Sequence, residues 1–482
     1  MVSEEKCMKK SKKNTNSQIL KISYVFVGIF LCMILYFSYF QIFEGKEVIN
    51  NTYNKRQEVF EKITIRGKII TENGEVLAET EVDSQGNETR VYKYGSLFSH
   101  AVGISTNGKM GIELNQDYSL LGSDVNVFEK VSNEFKGEKT AGNNVITTLD
   151  VELQEAAYNA LGNYDGAIIV IEPDSGKIRA MVSKPDFDPN TIDADWENIT
   201  GDEENSCLLN RATNGLYTPG STFKIFTFLE YIRENANFRD YVYNCQGRIN
   251  VGDNSVSCYN GIWHGEENVF EAFAHSCNSS FVNMGLKLDM NSFSDTCKKL
   301  FFNKNLPTKL EHKPSSFELN ESSGEFEIMQ TSIGQGKTLV SPLHMCMIAS
   351  AIANDGVLYE PYIVSKITNH NGYEVNKYKP IKYGEIFTKG EVEILKEAMG
   401  DVVEYGTGTR LQIDKYDVYG KTGTAEIDSG DNAHSWFVGF AENDNEKVAI
   451  CVVMEDMPPG STWAVPVAGQ VLEECFSEEK TS

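Results

Sequence analysis

The chain has few positive charges, and its metal-type donors follow no recognisable order. Its 44 Lys and Arg stand against 69 Asp and Glu for a net charge of −25. Beyond the first twenty residues there is no basic stripe to neutralise phosphates, which argues against a nucleic-acid partner. The ten cysteines include no Cys-x-x-Cys, and the seven histidines are scattered without ligand spacing. No zinc motif, thioredoxin-like pair, metal or cofactor is therefore expected. Gly336-Lys337-Thr338 and Gly420-Lys421-Thr422 look like the end of a phosphate-binding loop, but the glycine needed five positions earlier is Thr331 in one and Lys415 in the other. Repeats and low-complexity tracts are absent as well.

What is present reads as a membrane-anchored chain. At 482 residues, 41% hydrophobic and 11% aromatic, it can bury the cores of about two to three domains. Residues 22–43 carry no charged side chain, enough for a helix to cross a bilayer. Lys6, Lys9, Lys10, Lys12, Lys13 and Lys21 precede them, so residues 1–21 are expected in the cytoplasm and everything after Phe43 outside. Bulky Tyr36, Phe37, Tyr39 and Phe40 occupy the place where a cleaved signal would carry small residues, which favours an uncleaved anchor. In that setting Cys245 and Cys258, close in sequence and flanked by turn residues, form either a local disulfide or two buried thiols.

After the anchor, residues 44–62 are polar with helical character, and residues 65–78 read as two short strands around Asn73-Gly74. Residues 44–141 are expected to form a small non-catalytic stalk. A larger domain, 142–482, starts where Val145 to Asp150 lead into a helical pattern at 151–161. Strands are expected at 166–171 and 178–182, and again at 418–425, 435–441 and 448–454, followed by a last helix at 465–476. Strands from both ends around a helical middle imply one mixed α/β domain with a five-stranded antiparallel sheet.

Three strings carry the chemistry: Ser221-Thr222-Phe223-Lys224, Ser276-Cys277-Asn278 and Lys421-Thr422-Gly423-Thr424. Ser221 follows the turn Tyr217-Thr218-Pro219-Gly220 and opens a helical pattern, where free N–H groups and the helix dipole favour a developing negative charge. Lys224, one turn on, lies within reach of the Ser221 hydroxyl. It can serve as a base once burial and a second cation, Lys421, depress its pKa. Ser276 and Asn278 occupy an interhelical turn, where a hydroxyl can relay a proton and an amide can hold a peptide-like substrate. Lys421 to Thr424 lie on a strand; Gly423 is expected to clear space for substrate backbone, and the Thr424 N–H to pair with that of Ser221 as an oxyanion donor. Taken singly, each string is as easily a capping serine, a polar turn or a surface lysine.

Together they resemble the penicillin-recognising serine acyltransferases, and the chain looks like a class B penicillin-binding protein of the short, mycobacterial-division-type group. Asn210-Arg211-Ala212, Pro219-Gly220-Ser221, Gly334-Gln335-Gly336, Ser341-Pro342 and Ser435-Trp436-Phe437-Val438-Gly439 fit that pattern, as do Arg66-Gly67-x-Ile69 and Asn73-Gly74-x-x-Leu77-Ala78 in a dimerisation-like stalk. The resemblance implies the transpeptidase fold and D,D-transpeptidation of peptidoglycan stem pentapeptides, with β-lactams acylating the same serine. Ser221 would be the nucleophile, Lys224 the base and Ser276 the relay. Asn278, Lys421, Thr422, Gly423 and Thr424 would bind substrate. The segment before the catalytic domain is too short for a glycosyltransferase module, so the resemblance also implies a SEDS-type glycosyltransferase partner. A β-lactam sensor or binding scaffold, a D,D-carboxypeptidase and a β-lactamase are the competing functions.

Overall fold

The computed structural model describes residues 2–40, 56–201, 206–427, 432–458 and 462–477. They fall into two units, Met1–Lys62 and Ile63–Ser482. In the first, one helix runs Val2–Tyr39, and its Gln18–Tyr39 segment, of mean hydropathy 2.2, is long and apolar enough to cross a membrane. No glycine or proline precedes Gly28, so the helix continues back through the basic tail instead of starting at residue 22. The expected end of the span at Phe43 and the polar stretch at 44–55 lie outside the described residues.

The second unit begins with a six-stranded mixed sheet in the order Glu374–Lys377, Val364–Thr368, Asn144–Thr147, Ile69–Thr71, Val76–Val82, Glu88–Tyr92. The expected hairpin is present: Gly74 takes φ +101°, a left-handed conformation that costs glycine little, and the Thr71 N–H donates to the Glu75 carbonyl at 2.9 Å. Three of the six strands come from beyond residue 142. Asn144–Thr147 pairs in parallel with Ile69–Thr71 and antiparallel with Val364–Thr368. Segments on both sides of residue 142 are thus joined by a shared sheet where the sequence suggested a boundary.

A buried charge cluster locks this region. The Arg66 guanidinium donates to Glu113 at 2.6 Å and to Asp117, Arg90 reaches the other Glu113 oxygen at 2.8 Å, and Lys109 reaches Asp117 at 2.8 Å. Burial opposes ionisation of Glu113, but Arg66 and Arg90 outweigh it and hold the carboxyl below its ordinary range.

The five-stranded antiparallel sheet has the order Asp417–Glu426, Ala433–Glu442, Lys447–Met457, Gly166–Ile171, Ile178–Lys184, so the chain's two halves close it as expected. Gly166–Ile171 is buried throughout because both faces are covered. Ile168 and Val170 pack with Leu153, Ala157, Val465 and Leu472 of the helices Val151–Leu161 and Ala464–Cys475. Ile169 and Ile171 face the apolar helix Pro342–Ala353 and, beyond it, a helical subdomain cored by Phe223, Phe226, Phe293, Phe302 and Phe317. The turn carrying Ser221 lies between that subdomain and the edge strand Asp417–Glu426.

Glu113→Ala would leave two guanidiniums without their shared anion, and is expected to destabilise the chain by about 3–5 kcal/mol in denaturant or thermal unfolding. Glu113 titrates lower folded than unfolded, so its contribution is fully present above the unfolded carboxylate pKa and is lost as pH falls through the folded one. The difference between wild type and variant should therefore shrink in acid.

Candidate active site

The segment leading to Ser221 is clamped before the nucleophile is reached. Tyr217 and Val340 exchange backbone hydrogen bonds at 3.0 and 2.8 Å, and the Tyr217 hydroxyl and Arg211 both donate to Glu455 at 2.6 Å. The Trp436 indole N–H reaches the Thr218 carbonyl at 3.2 Å. Gly220–Phe223 then forms a single 3-10 turn that runs into the α-helix Lys224–Glu234. Ser221 is thus half-buried, one turn ahead of the α-helix proper. Gly220 needs its glycine: at φ +53°, a methyl there would stand 2.5 Å from the Thr424 carbonyl oxygen.

Lys224 is the centre of the site. It is 0% exposed, and its ammonium donates to the Ser276 carbonyl at 2.7 Å, the Ser276 hydroxyl at 3.1 Å and the Asn278 side-chain carbonyl at 2.7 Å. Three donors meeting three acceptors describe the protonated form. Burial opposes that form and pushes the pKa down to about 8. The amine therefore lies close to the balance between holding and accepting a proton that general-base chemistry near neutrality requires.

The second string sits where it was expected, between the helices Val269–Ala274 and Asn278–Gly285. Ser276 adopts φ +59°, an uncommon conformation for a residue with a side chain. The tight turn points its hydroxyl and carbonyl at the same lysine. One Asn278 amide N–H donates to the Ser257 carbonyl at 2.9 Å, which fixes the side-chain oxygen toward Lys224.

The third string lies on the edge strand, paired with Ala433–Glu442. Lys421 is also 0% exposed; burial, with repulsion from Lys224, pushes its pKa well down. Its ammonium has the Thr422 carbonyl at 3.2 Å and the face of Phe273 at 5.6 Å. The expectation for Gly423 needs correcting. A methyl on Gly423 would meet Thr222 at 2.9 Å and the Pro219 carbonyl at 3.0 Å, so the absent side chain makes room for the nucleophile's own turn and not for substrate. That close packing brings the Ser221 and Thr424 segments against each other, as a shared oxyanion site requires.

Two further features have no motif of their own. The Thr407 hydroxyl is 2.6 Å from that of Thr422, and the Thr407 N–H donates to the Ala274 carbonyl at 3.2 Å, so Thr407 ties the third string to the helix before the second. The donors that the sequence left scattered also converge: Cys245, Cys258, His264 and Cys277 place three sulfurs and one ring nitrogen within 4.8 Å of one another, a set able to hold a metal ion.

A half-buried serine at the start of a helix, a buried amine of depressed pKa and a second serine hydroxyl 3.1 Å from that amine are equipment for acyl transfer through a serine ester. Comparison with known proteins agrees. The model for the penicillin binding protein transpeptidase domain matches residues 166–476, and that for the penicillin binding protein A dimerisation domain matches residues 66–145. The chain belongs to the penicillin-binding protein transpeptidases. It is 28% identical to the peptidoglycan D,D-transpeptidase PbpA of Mycolicibacterium smegmatis over 96% of this chain and 99% of that protein. It is 30% identical to the stage V sporulation protein D of Bacillus subtilis over 87% of this chain and 69% of that protein. Penicillin-binding protein A from M. tuberculosis, as its imipenem acyl-enzyme complex, matches with a TM-score of 0.78 and 26% identity, over 86% of this chain and 100% of that one.

As a base toward Ser221, Lys224 would act only when neutral, so the rate of penicillin acylation should rise with pH through about 8 and level off above it. Lys224→Ala should fold and acylate at least about a hundredfold more slowly. Stopped-flow acylation against pH checks both; a flat profile, or a variant near the wild-type rate, removes Lys224 from the base role.

Proposed function

We propose that this transpeptidase cross-links peptidoglycan stem peptides through a Ser221 acyl-enzyme. The observation that carries the reading is the convergence of the second string, through Ser276 and Asn278, on the Lys224 ammonium of the first, while the third packs against the Ser221 turn. The Ser221 hydroxyl attacks the carbonyl of the penultimate D-Ala as Lys224 takes its proton. The oxyanion collects between the Ser221 and Thr424 amides. Collapse breaks the bond to the terminal D-Ala, whose nitrogen receives the proton from Lys224 through the Ser276 hydroxyl. An amine of a neighbouring stem then attacks the ester and returns a proton to Ser221. Asn278 holds the substrate amide, and Lys421 with Thr422 holds the terminal carboxylate. A β-lactam mimics the donor and is trapped as the stable ester.

In this reading the apolar part of the Gln18–Tyr39 helix, from residue 22 on, anchors the chain with residues 1–21 in the cytoplasm, in keeping with the six lysines of that tail. Residues 44–141 and the strands they recruit form the stalk, and residues 142–482 work outside the membrane. A SEDS-type glycosyltransferase would supply the glycan strands.

Product analysis tests the reading. Given a synthetic stem pentapeptide and an amine acceptor, the detergent-solubilised chain should release D-Ala and form the donor–acceptor amide. Hydrolysed tetrapeptide alone, with or without acceptor, would make it a carboxypeptidase; rapid turnover of penicillin would make it a β-lactamase; binding without release of D-Ala would make it a sensor or scaffold.

A further inference from the structure

Residues 242–268, immediately before the Ser276 helix pair, form two short hairpin-like pieces. Val242–Cys245 pairs with Gly265–Asn268, and Arg248–Val251 pairs with Asn254–Ser257. Two-stranded pieces of four residues are marginal in water without a core or a cross-link. Here Ile262 and Trp263 are exposed, while Cys245, Val256 and Cys258 turn inward. The inward residues are largely sulfur.

The four donors arrive from four places: Cys245 ends one strand, Cys258 follows another, His264 precedes a third and Cys277 caps the helix Asn278–Gly285. The Cys245 sulfur is 3.6 Å from that of Cys258 and 3.4 Å from the His264 Nδ1, and the Cys258 sulfur is 3.8 Å from that of Cys277. A tetrahedral ion with Zn–S near 2.3 Å and Zn–N near 2.0–2.1 Å has edges of about 3.8 Å between sulfurs and about 3.6 Å between sulfur and nitrogen. These three separations are close to those edges, all four donor atoms lie within 4.8 Å of one another, and the sulfurs stand far beyond the roughly 2.05 Å of a disulfide. The surroundings suit thiolates: the Gly247 N–H points at the Cys245 sulfur at 3.4 Å, the Ser279 hydroxyl lies 3.3 Å from that of Cys258, and the His264 ring stacks on His275 with centroids 5.9 Å apart.

We propose that Cys245, Cys258, Cys277 and the His264 Nδ1 bind one zinc ion, and that this ion holds the catalytic turn Ser276-Cys277-Asn278 in its working shape. Binding replaces three thiol protons, which leave to solvent, with the metal. Cys277 is the link, because its neighbours on either side are the Lys224 ligands Ser276 and Asn278. Ser276 is held at φ +59°, and Asn278 is tied back to Ser257, the residue before Cys258. Releasing the ion frees both ends of the turn. The coupling to acylation rests on the proposed roles of Ser276 and Asn278; the metal site itself does not.

The test uses the full-length chain in detergent, reduced and intact. Elemental analysis should find one zinc per chain. After removal of zinc by a chelator, cobalt(II) should give thiolate-to-metal charge transfer and the visible bands of a tetrahedral site. His264→Ala should lose the ion, while His264→Cys, which offers four thiolates, should keep it. Fluorescent-penicillin acylation should fall by roughly a hundredfold in the zinc-free chain, in line with an ångström-scale misplacement of catalytic groups, and recover when zinc is restored. Circular dichroism separates this loss from unfolding. No stoichiometric metal on a chain whose thiols titrate as free, or a Cys245–Cys258 disulfide in the purified protein, would overturn the site. An unchanged acylation rate after zinc removal would overturn the coupling. Metal content and the cobalt spectrum read the site whether or not the chain acylates, so failure here is distinct from failure of the transpeptidase reading.

Discussion

Two fully buried lysines close enough to repel each other set the terms for the rest of the site. Taking an ammonium out of water is costly, and the protein meets that cost unevenly. Lys224 receives three acceptors in good geometry, which leaves it ionisable near neutrality. Lys421 has one backbone carbonyl and an aromatic face, so its charge is weakly supported until an anion arrives. In the proposed function that anion is the terminal carboxylate of the donor stem, and its binding and the charging of Lys421 favour each other. Burial thus favours the neutral amine at Lys224, while at Lys421 it makes the cation depend on the anion that arrives beside it.

Holding those lysines requires three chain segments to meet without a gap, and the packing shows how. Glycines stand where backbones touch: Gly220 against the Thr424 carbonyl, Gly423 against the Pro219 carbonyl and Gly334 against the Gly220 carbonyl. The phenylalanines of the helical subdomain fix the base of the Ser221 turn from below, and Trp436 fixes its entry from the sheet. The early strand Ile69–Thr71 is joined to this body through the sheet it shares with Asn144–Thr147 and Val364–Thr368.

Much of this was legible in the sequence, and the reasons are local. The strand Gly166–Ile171 has an unbroken apolar run ended by a turn, and Lys447–Met457 carries a similar run; these and the strands Asp417–Glu426 and Ala433–Glu442 lie within a few residues of their expected limits. The placement of Ser221, Lys224, Ser276, Asn278 and Lys421 followed from motif order. What escaped depends on contacts between segments far apart. Strands Val364–Thr368 and Glu374–Lys377 are short, and the sheet they join lies more than two hundred residues back, so their sequence has no period that points there. Gly423 was given the wrong neighbour because the 3-10 turn that fills its space lies on another segment. Thr407 and the three cysteines with His264 become a set only once two hairpins and a helix cap are folded together.

The central claim is that Ser221 is the acyl-accepting atom of a site built around Lys224. The most direct measurement is intact-mass analysis of the full chain after incubation with penicillin G, followed by peptide mapping, on wild type and Ser221→Ala. The account predicts a single stoichiometric adduct on the peptide carrying Ser221, absent from a folded Ser221→Ala chain. An adduct on another residue, or one that persists in the variant, would contradict it.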